Sequence, residues 1–127
     1  YDADARGKTP NPEALSILED ARTELGVSAR TISAEETVNR CLLGLFSEGA
    51  ALLEEGIAAR ASDIDVVYTN GYGFPRHKGG PMFWAQSKGL DWADQEIGQL
   101  ATGPYGKWWQ RPAIIASGAK GEGPLAL

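Results

Sequence analysis

Residues 33–56, SAEETVNRCLLGLFSEGAALLEEG, decide the fold of this chain. Ser33 and Glu36 stand three residues apart, the spacing of a capping box, in which each side chain binds a free backbone amide of the first helical turn. Apolar residues then recur at intervals of three and four, namely at Val38, Cys41, Leu42, Leu45, Phe46, Leu52 and Leu53. The pattern predicts an amphipathic helix of about 22 residues that ends at Gly56 and organises the domain.

Two small residues of this helix carry specific expectations. Gly49 lies on the same side as Leu42, Leu45 and Leu52, where the lack of a side chain lets another backbone come close. We therefore expect a helix crossing at Gly49. Cys41 lies on the apolar stripe, and unpaired cysteine is among the most buried residue types, so we expect it to pack in the core rather than act as a nucleophile.

Helix-start and helix-stop signals predict further helices on both sides of this segment. Asn11-Pro12 suits a helix entrance, because Asn can accept a free amide and Pro at the first position sacrifices no hydrogen bond. The predicted ranges are 11–25 with a stop at Gly26, 62–71 closed by Gly71, 81–87 stopped by Gly89, 91–101, and a short last segment begun near Pro112. Asp91 is predicted to cap the fifth helix, with Asp94 three residues on.

These patterns predict an all-α domain, an orthogonal bundle of five to six helices over 11–117. The β-branched run at 65–69 is the one strand candidate, and its acidic cap favours a helix instead. A polar linker is expected at 1–10 and a Gly-rich flexible tail at 118–127. Because the chain begins at Tyr1 rather than Met, we expect a piece of a longer polypeptide, although a processed N-terminus would look the same.

Composition excludes several classes of function. Lys and Arg total 12 against 17 Asp and Glu, and the net charge of -5 gives no long-range attraction to nucleic acid or anionic lipid. No apolar run approaches the roughly 18 residues of a membrane span. With a single cysteine and one histidine, the chain can form neither an internal disulfide nor a Cys/His metal cage, so we expect no metal and a cytoplasmic location.

Catalytic motifs are missing as well. No serine has the histidine of a triad near it in sequence. The adjacent pairs Glu35-Glu36 and Glu54-Glu55 point to different sides of a helix and cannot share a proton, so they indicate capping and a solvated face. A Gly-Tyr-Gly stretch at 71–73 lacks the third glycine of a dinucleotide fingerprint and follows no strand, so we expect this chain not to bind NAD by itself.

The loop over 71–81 is the most distinctive segment that remains. It places Arg76, His77 and Lys78 between Phe-Pro and Gly-Gly, a framed basic triplet in an otherwise acidic chain. Such a triplet could meet the phosphates of a ligand or an acidic patch on a neighbouring domain. A solvated loop with no ligand is the alternative interpretation.

Four tryptophans are many for this length, and two of them are adjacent. Trp108 and Trp109 cannot both point inward from one helix, so one of the two is expected either at an interface or as a single exposed ring.

Several motifs together resemble one family. The segment 36–43, ETVNRCLL, is similar to the "VNRLL" start of the C-terminal domain of 3-hydroxyacyl-CoA dehydrogenases, and the likeness continues through Glu48-Gly49-Ala50, 53–58, 62–65, the GYGFPRHKGGPMF segment at 71–83 and 89–91. It covers about 33–92. The longer RHKGG form of the loop resembles the second C-terminal domain of bifunctional enoyl-CoA hydratase/3-hydroxyacyl-CoA dehydrogenases, bacterial or peroxisomal.

The resemblance implies a scaffold role. A 6-phosphogluconate dehydrogenase C-terminal domain-like bundle would pack against a preceding Rossmann domain that binds NAD and a first C-terminal domain, would form homo-oligomers and would enclose the acyl-CoA substrate. The parent enzyme would oxidise (3S)-3-hydroxyacyl-CoA to 3-ketoacyl-CoA in fatty-acid β-oxidation, in the cytoplasm or, in a eukaryote, the peroxisome. The fragment alone would be inactive.

Site residues follow from the same resemblance. Asn39 matches the position of an active-site Asn of single-copy enzymes, although a second copy is expected to have lost contact with the catalytic centre. Arg76, His77 and Lys78 become candidates for the phosphates of coenzyme A. A free-standing helical adaptor, with a partner helix in a groove at Gly49, is the alternative function.

Overall fold

The computed structural model describes residues 10–103 and 105–125, which contain helices and no strand. The six α-helices are α1 Pro12–Glu24, α2 Ala34–Glu54, α3 Ala61–Gly71, α4 Pro81–Lys88, α5 Leu90–Ala101 and α6 Ala113–Ala119. Three 3-10 turns lie at Arg76–Lys78, Gly106–Trp108 and Gly123–Leu125. The all-α class is confirmed. Apart from Pro10, the linker expected at 1–10 lies outside the described residues.

The chain divides into two compact units, one ending at Ser33 and the other beginning at Ala34. The first unit contains α1, which starts as expected: the Asn11 side chain accepts a hydrogen bond from the Glu13 amide at 2.9 Å. After the helix, Gly26 takes a φ of 63°, the left-handed conformation of a helix stop. No residue of α1 is buried.

The second unit is built on α2, whose Leu43, Phe46, Ala50 and Leu53 repeat every three or four residues and face its core. Other helices contribute the rest of this core, including Met82, Ala93, Ile97 and Ile115. Burying each large apolar side chain stabilises the fold by about 1.5–3 kcal/mol. The core therefore forms where α4, α5 and α6 cover one face of α2.

The helix crossing expected at Gly49 is confirmed, and the helix that crosses is α4. A side-chain carbon added to Gly49 would lie only 2.5 Å from the Met82 sulfur. Because Met82 is itself fully buried, the space beside Gly49 belongs to the core. The groove proposed for an adaptor at this glycine is consequently filled by the chain's own helix.

The buried face of α2 is rotated from the predicted stripe. Cys41 is exposed, and Val38 is 54% exposed, so the prediction that Cys41 packs in the core is wrong. Instead the small residues Ser47, Gly49 and Ala50 are buried. The pattern of large apolar residues does not by itself identify the buried face of α2, because small residues are the ones that admit close helix packing.

The C-terminal segment also differs from expectation. Leu125 is fully buried, and the Gln86 side chain donates a hydrogen bond to its carbonyl at 3.0 Å. Gly118 lies against Leu125, since an added side-chain carbon there would come within 2.8 Å of the Leu125 Cβ. The prediction of a flexible tail is therefore wrong over the described residues 118–125, because a glycine-rich composition here serves close packing.

Candidate binding surface around the 71–81 loop

A buried carboxylate holds the end of the 71–81 loop. Asp65 of α3 is 8% exposed, and its two oxygens accept hydrogen bonds from the Met82 amide at 2.8 Å and the Phe83 amide at 3.1 Å. These amides belong to the first turn of α4, which begins at Gly80-Pro81 without a capping side chain of its own. Asp65 thus caps α4 from another helix.

Sequence reasoning missed this role because it read Asp65 as an acid at the start of α3. A weak signal existed: a helix that opens with Gly-Pro lacks a local acceptor and needs one from elsewhere. Burial raises the pKa of the Asp65 carboxyl, and the two backbone hydrogen bonds partly oppose that rise.

Two glycines make the close approach of the loop to Asp65 possible. Gly80 has a φ of 113°, and an added side-chain carbon would overlap the Asp65 carboxyl group. Gly79 has a φ of 77° and lies against the Phe83 ring. Both the left-handed backbone and the lack of space require glycine here.

Aromatic rings fix the other end of the loop. The Tyr68 ring of α3 packs edge-to-face on Phe74, with centroids 6.5 Å apart, and lies 5.4 Å from the Tyr72 ring. The Phe74 amide also donates to the Tyr68 carbonyl at 3.1 Å. The loop is therefore anchored to α3 at its start and, through Asp65, at its end.

Between these anchors, the basic triplet is exposed to solvent. Arg76, His77 and Lys78 form the first 3-10 turn, and all three are exposed. Arg76 donates to the Asn70 side-chain oxygen at 3.1 Å, a neutral partner that leaves its charge unbalanced. No carboxylate of the described residues forms an ion pair with the triplet. The turn therefore presents positive charge to any group that binds at this surface.

Asn39 lies on a different element from this turn. Asn39 is half-buried on α2, one helical turn before Leu43 on the core-facing side. It precedes the Gly49 crossing by ten residues, or about 15 Å along the axis. The asparagine that accepts a hydrogen bond from the triplet, through Arg76, is Asn70 on α3. The candidate site residues thus occupy separate elements.

A second set of long-range bonds positions the tryptophan pair. Arg111 binds Asp94 through two hydrogen bonds of 2.8 and 2.7 Å, and this guanidinium lowers the pKa of Asp94. Asp94 therefore anchors the side chain of Arg111 to α5, and the prediction that Asp91 caps α5 in a box with Asp94 is wrong, because no side chain caps this helix. The N-cap of α5 is Gly89, with Asp91 in the first turn.

Ser47 adds to this anchoring by donating a 2.6 Å hydrogen bond to the Gln110 carbonyl. The two rings consequently differ. Trp109 packs against the core, whereas Trp108 is 73% exposed, with the Lys107 ammonium 5.0 Å from the centre of its ring. One inward and one outward ring is the arrangement that the adjacent pair predicts.

In 10–103 and 105–125, no three His, Cys, Asp or Glu side chains come together as a metal site. Within the same ranges no helix is both long and apolar enough to cross a membrane.

Known proteins resemble this chain over most of the second unit. A family model described as "3-hydroxyacyl-CoA dehydrogenase, C-terminal domain" matches residues 37–114. The peroxisomal bifunctional enzyme of Danio rerio is 46% identical over 82 residues, 65% of this chain and 11% of that protein. The Homo sapiens enzyme of the same name is 49% identical over 81 residues, again 11% of its length.

A plant relative extends the likeness to nearly the whole chain. The peroxisomal fatty acid beta-oxidation multifunctional protein MFP2 of Arabidopsis thaliana is 32% identical over 126 residues, which are 95% of this chain and 17% of that protein. The chain therefore spans only a small part of the length of these relatives. Since the family model covers more than half of it, the chain belongs to the family of 3-hydroxyacyl-CoA dehydrogenase C-terminal domains.

Proposed function

We propose that this chain is the second C-terminal domain of a bifunctional enoyl-CoA hydratase/3-hydroxyacyl-CoA dehydrogenase. The whole enzyme would oxidise (3S)-3-hydroxyacyl-CoA to 3-ketoacyl-CoA with NAD as acceptor. The observation that carries the proposal is the family match over 37–114, which runs from the first turn of α2 into α6. This domain would contribute domain packing, dimerisation and substrate enclosure. These would affect the reaction rate of the parent enzyme by positioning the substrate and excluding water.

The Gly-Tyr-Gly stretch at 71–73 does not fit the dinucleotide. The Gly-Tyr-Gly stretch begins at Gly71, the last residue of α3, and the described residues contain no strand to precede it. A dinucleotide fingerprint needs a strand before its glycines and a helix after them. We therefore assign NAD to a preceding Rossmann domain of the parent polypeptide, followed by a first C-terminal domain.

Two measurements test this assignment. The purified chain, given NAD and 3-hydroxybutyryl-CoA, should form no NADH. The reading frame upstream of the Tyr1 codon should encode a strand–GxGxxG–helix unit within some hundreds of residues. NADH production by the chain alone, or an upstream frame without that unit, contradicts the proposal. The adaptor alternative has no support from Gly49, which Met82 covers.

A ligand role for the triplet is a second candidate, favoured by the unbalanced charge of the outward turn. We propose that Arg76, His77 and Lys78 contact coenzyme A phosphates of the parent's substrate. Calorimetry with coenzyme A should then give heat that the Arg76→Ala/Lys78→Ala double variant abolishes. Lys107→Ala, which removes an exposed charge on another element, is the matched control. Absence of heat with the unaltered chain contradicts this role.

Asn39 and the cellular location complete the proposal. Asn39 matches the family's active-site Asn, and in a second copy we propose that it no longer reaches the catalytic centre. The relatives are named as peroxisomal proteins. We propose a peroxisomal location if the source is a eukaryote and a cytoplasmic one otherwise.

A further inference from the structure

A small pocket opens between α2 and the segment that carries the adjacent tryptophans. Its volume is about 230 Å³, and its lining consists of Gly44, Ser47, Glu48, Trp108, Trp109 and Gln110. Pockets for drug-sized ligands have volumes of about 300–1,000 Å³. This pocket, which we call the tryptophan pocket, therefore suits the head of one side chain rather than a larger ligand.

Glu48 gives the tryptophan pocket a negative charge. Its side chain is exposed and forms no ion pair within 10–103 and 105–125. Two arginines near the pocket in sequence are already paired. Arg111, which adjoins the lining segment, binds Asp94 at 2.7 Å. Arg40, two turns before Glu48 on α2, binds Glu36 at 3.0 Å. The Glu48 carboxylate is therefore left for a cation of a partner.

Two indole rings form the walls of the pocket. Trp108 is 73% exposed, and Trp109 packs partly buried against the core. The face of an indole ring attracts cations more strongly than other aromatic side chains do. This chain already contains one such contact: the Lys107 ammonium lies 5.0 Å from the centre of the Trp108 ring, although Lys107 does not line the pocket. Indole rings beside a carboxylate therefore favour an organic cation over an anion or a neutral group.

Gly44 keeps the floor of the pocket open. It lies inside α2, four residues before Glu48 and so on the same face of the helix. Glycine in a helix interior is less stabilising than alanine, so it calls for a reason such as close packing. Gly49 has that reason in its contact with Met82. At Gly44 an added side-chain carbon would meet nothing within 4 Å. Close packing therefore does not explain Gly44, whereas an open pocket does.

We propose that the tryptophan pocket binds the guanidinium of an arginine side chain that another polypeptide presents. Arginine suits it better than lysine, because a planar guanidinium can stack on an indole face and form two hydrogen bonds with one carboxylate. The net charge of -5 attracts a basic partner at long range. The inference goes beyond the proposed function and does not depend on it.

Peptide titration followed by NMR tests the class of ligand. The probe is the blocked peptide acetyl-Gly-Arg-Gly-amide, and its matched control contains citrulline, which has nearly the same shape as arginine but no charge. The arginine peptide should shift the Gly44 and Glu48 amide resonances and the Trp108 indole N–H resonance. Its dissociation constant should be on the order of 1 mM, because one exposed side chain supplies little binding free energy. The citrulline peptide should bind at least about fourfold more weakly.

Two variants remove the groups that would hold the cation. Glu48→Gln and Trp108→Ala should each raise the dissociation constant of the arginine peptide about fourfold. Glu55→Gln removes the same charge from an exposed residue outside the pocket, and Tyr72→Ala removes a 75% exposed ring beside α3. These two controls should change the constant by less than about 1.5-fold, because distant exposed charges are screened and distant rings do not touch the ligand.

Gly44→Leu separates a binding role from a structural one. A leucine at this position should occupy the pocket and raise the dissociation constant at least about tenfold. The melting temperature should stay the same or rise, because leucine favours helix and the added side chain starts in open space. A lower melting temperature would contradict the explanation given for Gly44. Far-UV circular dichroism checks that every variant is folded.

Three results overturn the inference. The first is the absence of any shift at the pocket resonances up to about 20 mM arginine peptide. The second is equal binding of the arginine and citrulline peptides. The third is a folded Glu48→Gln or Gly44→Leu chain that binds the arginine peptide as tightly as the unaltered chain does. The proposed function would stand after any of them, because its own tests are the upstream reading frame and the absence of turnover.

Discussion

At the scale of single residues, the contact between Gly80 and Asp65 determines how the 71–81 loop is held. Gly80 needs a backbone that other residues rarely adopt, and its neighbour is the one charged side chain classed as buried among the described residues. A side chain at position 80 would therefore suffer both backbone strain and steric overlap with Asp65. Neither the side of α3 that Asp65 faces nor its two amide partners, 17 and 18 residues away, can be inferred from local sequence.

Replacing this glycine should be costly. Gly80→Ala would combine an unfavourable φ with overlap on the Asp65 carboxyl, so we expect a loss of about 2–4 kcal/mol in the free energy of unfolding, measured by urea denaturation. Gly73→Ala is the control, because Gly73 also has a positive φ but has open space around it, and should lose only about 1 kcal/mol. Equal losses would show that the contact with Asp65 contributes nothing.

Asp65 should make stability depend on pH in an unusual direction. Because its pKa is raised in the folded protein, the folded state binds more protons than the unfolded state above the ordinary value of 3.8. Its contribution is thus fully present below pH 3.8 and is lost as pH rises through the folded pKa. The unfolding free energy of the unaltered chain minus that of Asp65→Asn should fall over this window in urea titrations at successive pH values. A difference that rises with pH contradicts the assignment.

At the scale of elements, the helix boundaries set by local signals could be predicted from the sequence. The contacts between distant elements could not. The starts of α1 and α2 and the stops at Gly26, Gly71 and Gly89 followed from caps and glycines that act within one turn. Links between distant elements had no such signal: Ser47 binds the Gln110 carbonyl 63 residues away, and Gln86 binds that of Leu125. Sequence patterning therefore predicted the helices but neither the buried side of α2 nor the packed C-terminal segment.

The packed C-terminal segment supplies a prediction of its own. Leu125→Ala should lower the free energy of unfolding by about 2–5 kcal/mol, because Leu125 is fully buried and truncation leaves a cavity against Gly118. Leu25→Ala removes the same atoms from a residue that is 73% exposed and should change stability by no more than about 0.5 kcal/mol. If thermal and urea unfolding show the same small effect for both, the segment does not belong to the core.

At the scale of the whole molecule, the two units should differ in local stability although both contain regular helix. In the first unit α1 buries no residue, so its hydrogen bonds gain little from packing and short isolated helices are marginal in water. In the second unit α2 buries seven residues, which ties its opening to the loss of the core. Amide hydrogen exchange followed by mass spectrometry should therefore show rapid exchange in α1 and the slowest exchange around Phe46. Because exchange is read for each helix in the intact chain, no truncation is needed, and equal protection of α1 and α2 would mean that burial does not set local stability here.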